Sequence, residues 1–264
     1  MITTHHDQTA ATVGPAATAG LPPDAALERI GLPCGETIEL ACIARSAADA
    51  DDAVAHDTEI AEIVAGAAAW AGDDPTDAVT VVPLYGTHVI WSPGRAVLVG
   101  PAERLPQMRA AVGEFAGHDA ELRGIESRIA EALAHVDADA PLAFEFDAPA
   151  LPRRGELAAR FSQAVSLRRR LSLLAPAVQR PAPQPPTLAG QLGERLRDRT
   201  RIVERLETAI DQADLLERVY GGCGDRVSEY ATSRRHATLE WVLIVLLATE
   251  VILLAVDLLA ARTT

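Results

Sequence analysis

Residues 239–260 read LEWVLIVLLATEVILLAVDLLA, and no other stretch constrains the chain as much. A predominantly apolar run of this length has to be covered on nearly every side, by lipid or by a large protein core. At about 1.5 Å of rise per residue, positions 241–261 are long enough to cross a hydrocarbon core of about 30 Å. Within positions 241–261 two acids interrupt the run, Glu250 near its middle and Asp257 near its far end. Thirteen Leu, Ile or Val side chains favour insertion by about 0.3 to 0.6 kcal/mol each, against a cost of about 2.5 to 3.5 kcal/mol for one mid-span acid. Asp257 lies nearer an interface and costs less, so the balance favours a membrane span.

The flanks orient it. Arg234, Arg235 and His236 precede the span while Arg262 alone follows, which places the N-terminal side in the cytoplasm by the positive-inside rule. Trp241 falls at interfacial depth. A wholly buried soluble helix is the alternative. Glu250 and Asp257 are seven residues apart, on one face with Leu243, Leu246, Leu247 and Leu254. This acidic stripe predicts self-association between spans, since a polar group in lipid seeks a partner on another helix. A proton relay is the competing reading, and a single span offers no chain of relay groups.

The rest of the sequence narrows the chemistry. A formal net charge of −13 and a pI near 5.0 oppose a broad phosphate-binding surface, so no direct nucleic-acid binding is expected. The chain has no lysine, which removes a Walker A lysine, a Schiff base and a kinase β-strand lysine. Cys34, Cys42 and Cys223 form neither a disulfide framework nor zinc-ligand spacing, and the seven His residues make no H-E-x-x-H arrangement. No cofactor or metal is therefore expected. The first residues carry neither a basic n-region nor an apolar h-region, so the N-terminal part is expected in the cytoplasm, with the span acting as a tail anchor.

Residues 1–23, rich in Ala, Thr, Gly and Pro, are read as a disordered tail. Residues 25–150 are read as an α+β domain. ETIELACIARS suggests a strand, and an Ala-rich acidic helix follows it to Gly72. AVTVVPL, THVIWS and RAVLVG are short β-branched runs divided by turn residues. Two helical stretches follow, the second with Leu122, Ile125, Ile129 and Leu133 on one face, and PLAFEFD (141–147) alternates like a strand.

A helix over 155–175 carries Arg168, Arg169 and Arg170, read as a solvated face near a helix C-terminus. Residues 176–187 form a Pro-rich linker. Over 188–238 a coiled-coil-like region is predicted, its seam at Leu192, Leu196, Val203, Leu206, Ile210, Ala213 and Tyr220 with Arg199 and Glu217 in the remaining slots. An intramolecular helical hairpin and a homo-oligomeric coil explain that seam equally well. GGCG (221–224) suggests a hinge, with Cys223 an inert linker thiol. The transmembrane helix occupies 239–261.

The terminal stretch RRHATLEWVLIVLLATEVILL resembles the terminal signature of the YagE, or required-for-meiotic-nuclear-division, family. That signature is a basic or His-containing patch, Leu-Glu-Trp, an Ile/Leu-rich span, then a second Glu before aliphatics. Arg234, Arg235, His236, Leu239, Glu240, Trp241, Glu250 and Val251 carry it here. PLYGTHVIWS is similar to the family's tyrosine-glycine segment, through Tyr85, Gly86, Val89, Ile90 and Trp91. ELAARFSQAVSL is similar to its small-residue helix, through Ser162 and Ser166. The chain departs in having PAPQPPTLAGQ without a tryptophan before its last helix, and in its GGCG. The resemblance implies a membrane-anchored, non-enzymatic protein, and mitochondrial relatives support organelle translation by tethering ribosomes at the inner membrane.

Together these readings predict a non-catalytic scaffold, tail-anchored, self-associating and facing the cytoplasm, with a protein partner that by resemblance is a ribosome-associated complex. The alternative is a membrane-bound sensor whose ligand alters helix association across GGCG. An enzyme is the minority reading. Asp51 with Asp52, and Glu145 with Asp147, are read as solvated acids; Ser162 and Ser166 lack a nucleophile elbow; His88 is read as a satisfied structural histidine.

Overall fold

The computed structural model describes residues 20–45, 53–72, 79–146, 148–180 and 187–263, the side chains of 53–59 and 254–263 excepted. The architecture is α+β, with an N-terminal five-stranded sheet followed by helices and a long C-terminal apolar helix. The chain divides into two compact units. Unit 1 comprises residues up to 128 and 169–210, and unit 2 comprises 129–168 and 211–264.

In unit 1, β1 (Ala26–Gly31) and β2 (Thr37–Arg45) form a hairpin, α1 (Ala53–Ala71) follows, and β3 (Thr80–Leu84), β4 (Thr87–Ser92) and β5 (Arg95–Pro101) form a meander. The sheet order is β1-β2-β5-β4-β3, and only the β2–β5 pair is parallel. β5 is central and buried over its middle five positions, Ala96 to Gly100, as a strand covered on both faces should be. Pro83 sits in β3, an edge strand, where a missing N–H costs no ladder bond.

The turns follow local chemistry. Tyr85 (φ 47°) and Gly86 (φ 71°) are both left-handed, giving the two-residue hairpin whose twist matches its strands. Pro93 fixes the next turn and Gly94 takes its positive φ of 82°.

On one face, Trp70, Ala67 and Ala71 of α1 pack with Ala41, Ile43, Ile90, Val97 and Val99. Leu21 joins this cluster, so the expected tail is ordered by its last residues; positions 1–19 lie outside the described residues. Arg95 fastens the end of α1, donating to the Trp70 carbonyl at 2.9 Å and lying 5.1 Å over its ring. On the other face Trp91 meets Phe115 of α2 (Leu105–Leu133) edge to face at 4.9 Å. α2 is one helix where two helical stretches were read.

The helices of unit 1 are joined by arginine. Asp119, 2% exposed, accepts from Arg123 at 3.0 Å and Arg205 at 2.7 Å, and Arg205 also forks onto Glu126. Arg170 pairs with Glu121 at 2.6 Å, so this part of the arginine triplet is engaged rather than only solvated.

Unit 2 corrects the expectation of a strand at 141–147. The chain there passes from α3 (Val136–Asp139) into a 3-10 turn over Ala140–Ala143, and a second 3-10 turn covers Ala148–Arg153. Pro141 opens the first turn in the helical position it favours, and among the described residues no strand pairs with this stretch. Phe144 is exposed, Phe146 stacks edge-on at 6.0 Å from Tyr230, and Asp147 lies outside the described residues. α4 (Arg154–Val178) runs past the expected end of its helix, so part of the proline linker is helical, and 181–186 lies outside the described residues.

The region read as coiled-coil-like is two helices, α5 (Leu188–Thr200) and α6 (Ile202–Thr263). Thr187 caps α5 by accepting from the Gly190 N–H at 3.1 Å, and Arg201 ends it in the left-handed conformation, φ 51°. Beyond the break the buried positions are Ile202, Leu206, Ala209, Ala213, Leu216, Tyr220 and Cys223, in alternating steps of four and three. This seam is consumed inside the monomer, which favours the intramolecular reading over an exposed coil seam. GGCG is continuous helix within α6, so the expected hinge is absent.

Candidate functional site

Unit 2 contains a buried carboxylate centre. Asp139, at the end of α3, is 0% exposed. Its Oδ1 accepts from Arg153 and its Oδ2 from Arg160, while Tyr220 Oη lies 3.3 Å from Oδ2. Cys223 Sγ lies 3.7 Å from the Asp139 carbonyl oxygen. Glu156, one helical turn from Arg160, pairs with it at 2.5 Å and with Arg153 at 3.5 Å. One acid thereby joins α3, the start of α4 and α6. Burial raises the Tyr220 phenol above its ordinary value and Asp139 adds to the shift. Burial likewise raises the Cys223 thiol, so both groups stay protonated at neutral pH. Two guanidiniums against one buried carboxylate make an ionic clasp that holds three elements in register.

The glycines of GGCG have a use other than bending. A Cβ on Gly222 would lie 3.2 Å from Ala143 Cβ, and one on Gly221 would lie 3.6 Å from Phe161. Gly222 lets the 3-10 turn approach the α6 backbone closely, while Gly221 faces Phe161 at ordinary contact distance. Beside them α4 and α6 border a cleft of about 900 Å³, with Leu157, Phe161 and the Tyr220 ring as its apolar lining and Arg154, Arg218 and Asp225 as charged lining.

The second candidate feature is α6 beyond residue 238. One described helix, Ile202–Leu253, is long and apolar enough to cross a membrane. Its large apolar side chains from Leu239 to Leu253 are each 51% to 68% exposed, in contrast to the buried seam upstream on the same helix. Arg234, Arg235, Leu239, Glu240, Trp241 and Glu250 are all exposed along this stretch. The side chain of Asp257 lies outside the described residues, as does that of Leu254.

The remaining positions are scattered. Tyr85 and Gly86 form the β3–β4 turn, with Tyr85 exposed and its carbonyl accepting from Arg104. Trp91 is core. Ser162 and Ser166 are exposed on α4, Glu145 is exposed, and Asp51 and Asp52 lie outside the described residues. His88 corrects the expectation of a satisfied histidine. Burial lowers its pKa, and its buried Nδ1 has no hydrogen-bond partner among the described residues. Among the described residues no group of three His, Cys, Asp or Glu could hold a metal ion.

Sequence reasoning missed the Asp139 clasp. Its only sequence trace is the Arg153, Glu156, Arg160 spacing, which places alternating charges on one helical face. Comparison with family models, with curated proteins and with solved structures returned no match to the chain.

Proposed function

We propose that the chain is a single-span membrane protein that presents its α+β domain on the cytoplasmic side and acts as a non-catalytic scaffold or tether. The carrying observation is the uncovered apolar surface over residues 239–253, on a helix whose upstream half buries its own apolar seam. Apolar side chains exposed on all sides of a helix belong in lipid. Arg234, Arg235 and His236 support the cytoplasmic placement of the N-terminal side.

The sensor alternative drew its mechanism from a break at GGCG, and α6 is continuous there. The family resemblance adds a narrower proposal, that the tethered partner is a ribosome-associated complex. Carbonate extraction of membranes tests the anchor. The full chain is expected in the pellet and a version ending before Thr238 in the supernatant; full-length protein in the supernatant overturns the reading. Affinity purification from solubilised membranes tests the partner, and recovery without ribosomal proteins removes the narrower proposal.

A further inference from the structure

Resting on the anchored reading, the geometry points to Glu250 as the contact through which two copies of this chain pair inside the bilayer. Glu250 is nine residues past Trp241, a rise of about 13 Å that puts it near the middle of a hydrocarbon core of about 30 Å. It is exposed, and no side chain of its own chain is bonded to it among the described residues. Thr249, the polar neighbour, is already spent: its hydroxyl donates to the Val245 carbonyl at 2.8 Å. A carboxyl at that depth needs a hydrogen-bonding partner from outside the helix.

A second copy supplies one by symmetry. Two-fold pairing of parallel spans sets each residue at the same depth as its twin, so Glu250 meets Glu250. A carboxyl carrying its proton is both donor and acceptor, and two such groups satisfy each other. Leu243, Leu246, Leu247 and Leu253 share that face, and all four are 53% to 62% exposed, providing side chains to interlock around the polar pair. The upstream seam cannot serve as the pairing surface, because Ala213, Leu216 and Tyr220 are buried within the monomer.

The test is cysteine crosslinking in native membranes with the full chain. Of the three natural cysteines Cys34 is exposed, Cys42 half-buried and Cys223 buried, so Cys34→Ser with Cys42→Val supplies the background and Cys223 is held by burial. Oxidation should crosslink Leu243→Cys and Leu247→Cys into dimers, with Ile244→Cys and Val245→Cys remaining monomeric. Adding Glu250→Leu should lower the dimer yield roughly five- to thirtyfold, the range set by interhelical hydrogen bonds in lipid, while Glu250→Gln, still donor and acceptor, should retain it. Equal yields from Glu250→Leu and the parent overturn the proposal, as does equal crosslinking at all four positions or capture of a different protein at Leu247→Cys. Carbonate extraction of the same samples separates the two readings. Protein in the pellet without dimers sinks the pairing alone, and protein in the supernatant sinks the anchor as well.

Discussion

Replacing Asp139 by asparagine preserves the size of the side chain and deletes the charge that holds Arg153 and Arg160. Removing one partner of a buried ion pair costs about 3 to 5 kcal/mol, because the groups left behind lose their compensation. Two features of the clasp place the change at the lower end of that range. The Arg153 side chain is 38% exposed and can turn to water, and Glu156 still faces both arginines. About 3 kcal/mol is expected.

Cys223 reports the loss directly, since its thiol is 0% exposed beside the Asp139 carbonyl and reacts only when the site opens. In a Cys34→Ser background, maleimide labelling of Cys223 should accelerate roughly a hundredfold in Asp139→Asn, following the tenfold per about 1.4 kcal/mol conversion. Cys42 in unit 1 serves as the internal control and should label at its original rate. Joint replacement by Asp139→Leu and Arg160→Met should recover much of the protection, because an apolar pair has no charge to strand. Labelling of Cys223 within threefold of the parent rate in Asp139→Asn would refute the clasp.

Gly66→Ala should destabilise unit 1 despite the better helix propensity of alanine, because the new Cβ would lie 2.4 Å from the Gly20 carbonyl oxygen. A lowered thermal midpoint by near-ultraviolet circular dichroism is expected, and an unchanged or raised one argues against that close approach. Burial lifts the Cys42 thiol to about 11 from an ordinary 9.0, with Glu28 adding to the shift and Arg109 opposing it. The unfolded chain therefore loses this proton first as pH rises, and stability should fall between about pH 9 and 11 with a limiting slope of roughly 1.4 kcal/mol per pH unit. Denaturant titrations of Cys42→Val should lack that component; an identical pH profile contradicts the assignment.

Strands β2 to β5 and their turns were legible because their signals are local. β-branched runs bounded by Tyr85-Gly86 and Pro93-Gly94 carry their own dihedral preferences. The stretch 141–147 was misread because alternation at Leu142, Phe144 and Phe146 also suits side chains leaving a helical turn, and Phe146 finds Tyr230 from there. The heptad reading ran one pattern through Arg201, where a left-handed residue divides the region into two helices. Leu206, Ala213 and Tyr220 keep the expected pattern, while Leu216 takes the buried place expected of Glu217, Cys223 extends the seam, and Arg199, ahead of the break, is exposed. The Asp139 clasp was illegible for a different reason: its partners lie 14, 21 and 81 positions away, and pairing over such distances is a product of packing. The terminal apolar run was the most legible feature, since its length and composition suffice to mark it as a candidate span.

The unbroken course of α6 turns the segment between Tyr230 and Trp241 into a strut. Tyr230 makes a ring contact with Phe146, and Trp241 marks the expected entry to lipid, eleven residues or about 16 Å further along the axis. A rigid helix transmits rotation as well as height: each residue added there would turn everything above it by about 100° and raise it by about 1.5 Å. Two added turns, seven residues, would move the Asp139 clasp about 10 Å further from the proposed span and leave its azimuth almost unchanged, while two added residues would face it nearly backwards. The sequence between the clasp and the proposed span thus sets a bearing, and in the anchored reading a partner held at the membrane would meet this protein on one side only.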